Sequence, residues 1–452
     1  MKNLKPFFNP HSILIVGASR KAYTFSYTIL KNLLEIFYRG KIYILNPNAD
    51  EILGIKSYHS LEELPETPEL AVIVLSKDIT QIFEELAIFG IKNIAIETEL
   101  RVDVTDIELI EKLTQISQKY GISYMGPSMI GIINFNSNFT TSIIPVRQYL
   151  MQKHRKIKEG VSFIAQSGGL AGAMGWWNPP QDLPISKVIH LGYGFDIDDA
   201  DVLEYFERDE TTKVITLFLR EITDGIINAV KVLAPKKPVL YFYVGKDEVK
   251  EEALINAGGI AVVNYIELFE FAKIFLWCPE PKGADLGIIG PSSGAIFLII
   301  KEMRKQRLSL AKLSNHHKNI ILEKVAGSTC DLGNPVDYWP PERFVGTKIC
   351  EIYNTSSKTL LKDEAVDGLI LALEFFTEIE FDFNIFRTIK ESFPSKPLIA
   401  ILIQAEHEGA KRVIKAASEL KIPVFENEVE RAVRGFKLLY EWYSRIKGKK
   451  QN

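Results

Sequence analysis

Short apolar runs recur along the chain, each closed by a turn signal and followed by a segment whose apolar positions return with a helical period. A strand buried on both faces reads as an unbroken apolar run, and a helix covering such a sheet carries one apolar stripe. The alternation therefore predicts parallel βαβ units. In the first third, strands are expected at residues 13–16, 42–45, 71–75, 94–96 and 123–125, with helices over 26–37 and 106–120. Residues 140–159 turn polar and basic and read as a linker. A second series starts at Gly160, with strands at 161–165, 187–191, 214–218, 239–243 and 260–263 and helices after Ser167, Asp199 and Gly225. A third runs through strands at 286–289, 368–373, 398–403 and 423–425 to a closing helix over 428–445, and the basic end 447–450 reads as a solvated tail. The pattern predicts three doubly wound α/β units over residues 1–138, 158–282 and 283–452.

Composition narrows the function. At 452 residues and 46% hydrophobic content the chain has material for about three domains of ~100–200 residues each. A formal net charge of only −3 with 25% charged residues argues against nucleic acid as a partner. Cys278, Cys330 and Cys350 are widely spaced, with no Cys-x-x-Cys pair and no His/Cys ligand cluster, so a reduced cytoplasmic setting is expected and no metal is assigned. The first residues have no apolar signal core, and the longest apolar stretch, 286–300, is broken by Gly287, Gly290, Pro291 and Gly294. Neither export nor membrane insertion is expected.

The first loop carries the clearest chemistry. Ile13-Leu14-Ile15-Val16-Gly17-Ala18-Ser19-Arg20 is a buried strand entering a small-residue turn before a helix, an arrangement whose free amides and dipole attract phosphate. A full Gly-x-Gly-x-x-Gly is missing. The second strand ends in Asn46-Pro47, where a NAD site wants a carboxylate for the ribose, so a dehydrogenase is disfavoured. A tight βα turn without a ligand is the plain alternative, and a crevice plugged by Tyr23 or Phe25 would sustain it.

The chain resembles the α subunits of ADP-forming acetyl-CoA (acyl-CoA) synthetases, relatives of succinyl-CoA synthetase. The likeness rests on Gly17-Ala18-Ser19-Arg20, residues 40–48, Gly126-Pro127-Ser128-Met129-Ile130-Gly131, Ala165-Gln166-Ser167-Gly168-Gly169-Leu170, residues 192–198, Lys236-Lys237-Pro238-Val239, Asn334-Pro335-Val336-Asp337, Ile422-Pro423-Val424-Phe425 and Glu430-Arg431-Ala432-Val433. It implies an N-terminal Rossmann-like CoA-binding domain followed by two flavodoxin-like domains. It also implies coenzyme A or acyl-CoA as ligand: Gly17, Ala18, Ser19 and Arg20 at its phosphates, Lys41 and Asn46-Pro47 near the adenosine, and Gly126-Pro127-Ser128 under the pantetheine. Gln166, Ser167, Gly168 and Gly169 would hold a phosphoryl group in transfer, with Ser167 as a simple N-cap the alternative. In such enzymes acyl-CoA and phosphate interconvert with acyl phosphate and CoA, and a histidine carries the phosphoryl group to ADP on an ATP-grasp domain. Nothing in this chain resembles that domain, so ADP/ATP would be bound only by a partner ATP-grasp β subunit in a homo- or hetero-oligomer.

The pattern breaks at the phosphoryl carrier. The family's Ser-His-Thr-Gly motif belongs between Tyr243-Val244-Gly245-Lys246 and Asn256-Ala257-Gly258-Gly259, where residues 247–255 hold no histidine. Its orienting glutamate falls at Arg220, and Glu221, one place on, would face the other way on a strand. No catalytic residue is therefore assigned, and a non-catalytic CoA-binding relative acting as regulator or scaffold is the alternative reading. Of the seven histidines, only His190, at a strand end on the same edge as Ser167, is a conceivable substitute. His316 and His317 read as solvent-facing. The family's Ala-Gly-Phe turn is Glu97-Thr98-Glu99 here, and its first-helix glycine is Ser26. The acidic run 196–201 reads as a helix start rather than a metal loop, and Trp176-Trp177 as core or subunit interface.

Overall fold

The apolar runs of the first third become strands of one sheet, in the order Glu51–Ile52, Ile55–Tyr58, Lys41–Leu45, Ser12–Val16, Leu70–Ile73, Asn93–Ile96, Ser123–Met125. The computed structural model describes residues 2–75, 77–98, 107–155, 158–325, 333–338, 348–374 and 381–450; Glu99 and Cys330 lie outside them. Ser12–Val16 runs parallel to both neighbours, with Val16 opposite Leu45 and Ile73, so the carboxyl ends of the strands share one edge. Every residue of Ser12–Val16 is buried, as an unbroken apolar run requires.

The second series also forms a sheet: Ile260–Ala261, Val239–Tyr243, Thr212–Leu219, Gly160–Ala165, Ile185–His190, Gly131–Asn134, Phe139–Thr140. Its last two strands form an antiparallel hairpin that the apolar pattern did not predict, since Gly131–Asn134 is only four residues long and Phe139–Thr140 two. Gly131–Asn134 pairs antiparallel with Ile185–His190, so the second sheet begins before the expected boundary at 138.

Residues 140–155 do not form the expected linker. Thr140, Thr141, Ser142, Val146 and Leu150 are buried, and residues 148–154 form the helix Gln148–His154. The reason lies in Asn32, buried on the helix Phe25–Glu35. Its amide donates to the carbonyls of Ser142 at 2.9 Å and Ile144 at 2.8 Å, and its Oδ1 accepts from Val146 N at 3.0 Å. Polar residues could be buried here because one asparagine satisfies their backbone.

The chain divides into two compact units, Met1–Asn178 with Pro184–Tyr265, and Pro179–Leu183 with Ile266–Asn452. The first unit holds both sheets because one apolar cluster spans them, joining Ile13, Ile15 and Val72 to Ile132, Phe139, Ile189 and Ile215. The second unit has the sheet Ser309–Leu310, Asp285–Gly290, Gly368–Leu373, Leu398–Leu402, Val424–Glu426, with Val336–Asp337 also paired to Asp285–Gly290. The helix Glu267–Trp277 belongs to this unit and not to the second series, and the closing helix Val429–Lys450 takes in the basic end read as a tail. Asn334 is a buried clasp: its amide donates to Leu286 O and Ala311 O, and its Oδ1 accepts from Ile288 N. His317, expected in solvent, is instead mostly buried, with its Nδ1 3.0 Å from an Asp363 oxygen.

In the first unit Lys187 has a side chain only 3% exposed; its ammonium donates to Asp209 at 2.6 Å and to Thr211 at 2.7 Å. A buried cation left without its carboxylate is strongly destabilising. Asp209→Ala is therefore expected to lower unfolding stability by about 3–5 kcal/mol. Urea denaturation followed by circular dichroism checks this; an unchanged midpoint would refute the pair's structural role.

Candidate functional site

The turn after Ser12–Val16 is built around a glycine for steric reasons. Gly17 has φ +86°, and a Cβ there would lie 2.5 Å from Leu75 Cδ2. Asn46 ties this turn to the next: its Nδ2 donates to Ala18 O at 2.7 Å and its Oδ1 accepts from Asn48 N at 2.8 Å. Asn46 therefore shapes the crevice, and both ends of its amide are already engaged. Arg20 donates from Nη2 to Asn48 O at 3.0 Å and makes no ion pair among the described residues, so its remaining donors face outward. Tyr23 is 97% exposed and Phe25 41% exposed; neither plugs the crevice.

Lys41 does not join this group. It opens its strand opposite Ser12, four residues from the Leu45 end, or about 13 Å along the strand, and its ammonium pairs with Glu66. The resemblance placed it near an adenosine, whereas strand direction puts Lys41 at the amino edge.

Gly126, Pro127 and Ser128 lie on the same carboxyl edge as Gly17, three strands away, or about 14 Å at ~4.8 Å per strand. The Gly126–Pro127 bond is cis; Gly126 and Ser128 have φ of +92° and +64°. Ser128 N donates to Thr98 O at 3.0 Å, and the Thr98 hydroxyl to Leu75 O at 2.6 Å, so the turns after three strands are laced together. Beneath them Glu97 is wholly buried and neither carboxylate oxygen has a hydrogen-bond partner. Removal from water pushes its pKa up to about 8, and the nearby Thr141 hydroxyl offsets this only in part.

The first sheet's edge runs into the second's. Tyr193 N donates to Pro127 O at 3.1 Å, and a Cβ on Gly192 would be 2.0 Å from the same oxygen. Tyr124 N donates to the Asp196 carboxylate at 2.8 Å. The acidic run thus serves as joints and caps: Asp198 closes a capping box on the helix Asp199–Arg208. Among the described residues no acidic, His or Cys cluster could hold a metal.

Beyond Gly192 opens a cavity of about 510 Å³ at the carboxyl ends of Gly160–Ala165, Ile185–His190 and Thr212–Leu219. Gln166, expected to hold a phosphoryl group, is committed to bracing it. Its Oε1 accepts from Arg220 N at 2.7 Å and Glu221 N at 2.9 Å, and its Nε2 donates to Asp199 at 2.7 Å. Burial raises the Asp199 pKa to about 6 despite that bond. Ser167 occupies the N-cap position, but its hydroxyl caps nothing, so the plain capping role is not what holds it there. Gly168 packs against Ile130, where a Cβ would meet Cγ1 at 2.4 Å, and Gly169 faces open space.

His190 is excluded as a phosphoryl carrier by its hydrogen bond. Its Nδ1 accepts from Ile130 N at 3.0 Å, which puts the ring proton on Nε2 and leaves that nitrogen no lone pair for attack. Burial and the nearby Arg220 charge hold its pKa down to about 4.

A CoA binding domain family model matches residues 11–134, and a succinyl-CoA ligase like flavodoxin domain model matches residues 158–266. The α subunit of ADP-forming acetate–CoA ligase II from Pyrococcus furiosus is 30% identical over 96% of this chain and 97% of its own length. The chain belongs to the ADP-forming acyl-CoA synthetase family. The α subunit of the Pyrococcus furiosus ligase I is 28% identical over 97% of this chain and 98% of its own. The chain spans 65% of the longer Archaeoglobus fulgidus acetate–CoA ligase II. Among solved structures, a Pyrococcus horikoshii protein superposes with a TM-score of 0.84 at 26% identity, covering 98% of this chain and all (100%) of that one. An acetyl-coenzyme A synthetase from Candidatus Korarchaeum cryptofilum, in complex with phosphate and ADP, superposes at 0.85 with 24% identity over 99% of this chain and 98% of that one, a likeness of fold.

Where the resemblance expects a phosphoryl-carrying histidine, between Val239–Tyr243 and Ile260–Ala261, the chain has the helix Glu248–Ala257, capped by Asp247, and no histidine.

Two outcomes follow from the geometry. Gly192→Ala forces a Cβ onto Pro127 O and is expected to lower the melting temperature and abolish CoA binding; differential scanning calorimetry and titration calorimetry read both, and a wild-type profile would contradict the packing. Glu97 has a folded pKa above its unfolded value, so its contribution to stability is complete below about pH 4.5 and lost as pH rises through about 8. Unfolding stability should fall between pH 5 and 8.5 by on the order of a few kcal/mol more in the wild type than in Glu97→Gln; equal falls would show that Glu97 is not the titrating group.

Proposed function

We propose that this chain is the CoA- and acyl-CoA-binding α-type subunit of an ADP-forming acyl-CoA synthetase system acting on a small organic acid. The observation that carries the reading is that the Gly17–Arg20 turn and the 126–128 turn lie on one carboxyl edge of the first sheet, on a chain related over nearly its whole length to such α subunits. The Gly17 amide is taken by Leu45 O, so the backbone amides of residues 18–20 and the Arg20 guanidinium would hold the diphosphate, and residues 126–128 would support the pantetheine. CoA supplies the thiol that exchanges an acyl group with phosphate. The chain's own residues bind and orient it along the sheet edge. ADP or ATP would be held by a separate ATP-grasp β subunit in a homo- or hetero-oligomer. A cytoplasmic setting fits the reduced Cys278, whose thiol burial raises to about 12, so it is inert.

A second reading, a non-catalytic CoA or acyl-CoA binder that regulates or scaffolds an active subunit, is favoured by one observation: no histidine stands at the family's phosphoryl-carrier position and His190 has the wrong tautomer. Loss of a covalent nucleophile removes several orders of magnitude of rate.

Titration calorimetry with CoA and acetyl-CoA tests the shared claim: saturable binding is expected, and no heat with either would end both readings. Incubation with acetyl phosphate labelled at phosphorus, and then with labelled ATP plus an ATP-grasp subunit, is expected to leave no acid-labile label on this chain. Phosphohistidine would overturn the account of the missing carrier. Trapping acyl phosphate with hydroxylamine from acetyl-CoA and phosphate separates the two readings, since a non-catalytic binder forms none.

A further inference from the structure

The first unit has a second joint, at the amino ends of its strands. There the residues leading into Ser12–Val16 and Lys41–Leu45 meet the tip of the hairpin formed by Gly131–Asn134 and Phe139–Thr140. Asn134 Nδ2 donates to Phe8 O at 2.8 Å, and Asn138 Nδ2 to Ile36 O at 2.8 Å. Beside this joint lies a cavity of about 460 Å³ whose lining includes His11, Arg39, Asn136, Ser137, Asn138 and Arg155.

Its charge is one-sided. No Asp or Glu lines it among the described residues; the Lys41 ammonium is taken by Glu66, and the Glu69 carboxylate accepts from His11 N at 2.8 Å. Arg39 and Arg155 are exposed, and neither has an ion pair among the described residues. Asn9, Asn136 and Ser137 also line a neighbouring cavity of about 930 Å³, so the two adjoin. In that second cavity Lys187 is closed on Asp209, Lys2 is held by Asp196 and Asp201, and Lys5 and Arg208 stand against the exposed Glu210.

Each arginine has a plain role as well. Arg155 follows the helix Gln148–His154, where positive charge suits the dipole, and Arg39 sits in a turn before Lys41–Leu45. Neither role accounts for two arginines on one cavity with no carboxylate to receive them. A guanidinium pairs with phosphate through two parallel hydrogen bonds. The space exceeds what orthophosphate fills, and its asparagine-bearing walls suit a body with hydroxyls or ring nitrogens.

We propose that this amino-edge cavity binds a phosphate monoester of about nucleotide size, its phosphoryl group held by Arg39 and Arg155 and its body lying toward Asn136 and Ser137. The site is separate from the carboxyl-edge crevice, since the strands between the two edges run for about 13 Å. It does not rest on the CoA-subunit reading. A ligand bound here to the folded chain alone would stabilise the first unit.

Titration calorimetry and differential scanning fluorimetry of the full chain in excess CoA test this, with AMP and ribose 5-phosphate as probes and adenosine as the uncharged control. Saturable binding of at least one ester is expected, with a rise in melting temperature, and none of adenosine. Arg39→Ala and Arg155→Ala should each weaken it by about tenfold or more, and the double variant should abolish it. Both positions are exposed, so these variants should fold and keep the wild-type affinity for CoA. Arg20→Ala, in the crevice, should weaken CoA and leave the ester bound as before. Binding of neither ester, undiminished binding in the double variant, or equal binding of adenosine would overturn the proposal. Ester binding seen only without CoA would place the ligand in the crevice and overturn it too. Absence of CoA binding with ester binding intact would instead remove the crevice reading and leave this site standing.

Discussion

The architecture of the first unit depends on one contact: the backbone of Gly192 pressed against the carbonyl of Pro127. Two parallel sheets each leave a row of strand ends and turn amides at one edge, and these edges become a single surface only if the backbones touch. A side chain at 192 would occupy the position of the Pro127 oxygen, 2.0 Å away, so glycine alone allows the approach. Tyr193 N then bonds that oxygen, Asp196 takes Tyr124 N, and Ile130 N reaches His190. The crevice, the turn at 166–169 and the His190 tautomer all follow from this seam.

Glu97, under the laced turns, is costly to bury: a carboxyl without a hydrogen bond survives near neutral pH only by staying protonated.

Much of the fold was legible because parallel strands buried on both faces announce themselves as apolar runs; Ile13, Ile15 and Val16 could hardly be anything else. The hairpin at 131–140 was not, because its strands are too short for a periodic signal and its burial is earned by distant partners such as Asn32. The same held at the site. The resemblance grouped Gly17, Arg20, the 126–128 turn and Lys41, whereas the place of Lys41 reflects strand direction, the bracing role of Gln166 a long-range bond to residue 220, and the His190 tautomer a bond from an unforeseen strand pair. What sequence leaves out here is which atoms of a polar residue are already committed.

On the function proposed for it, the joined edge is one ligand path. The most direct measurement is a crystal structure of the chain soaked with CoA. The expected result is the diphosphate at the amides of residues 18–20 and the pantetheine passing over 126–128 toward Gly192. Density for CoA anywhere else on the chain, or a pantetheine leading away from that seam, would contradict it.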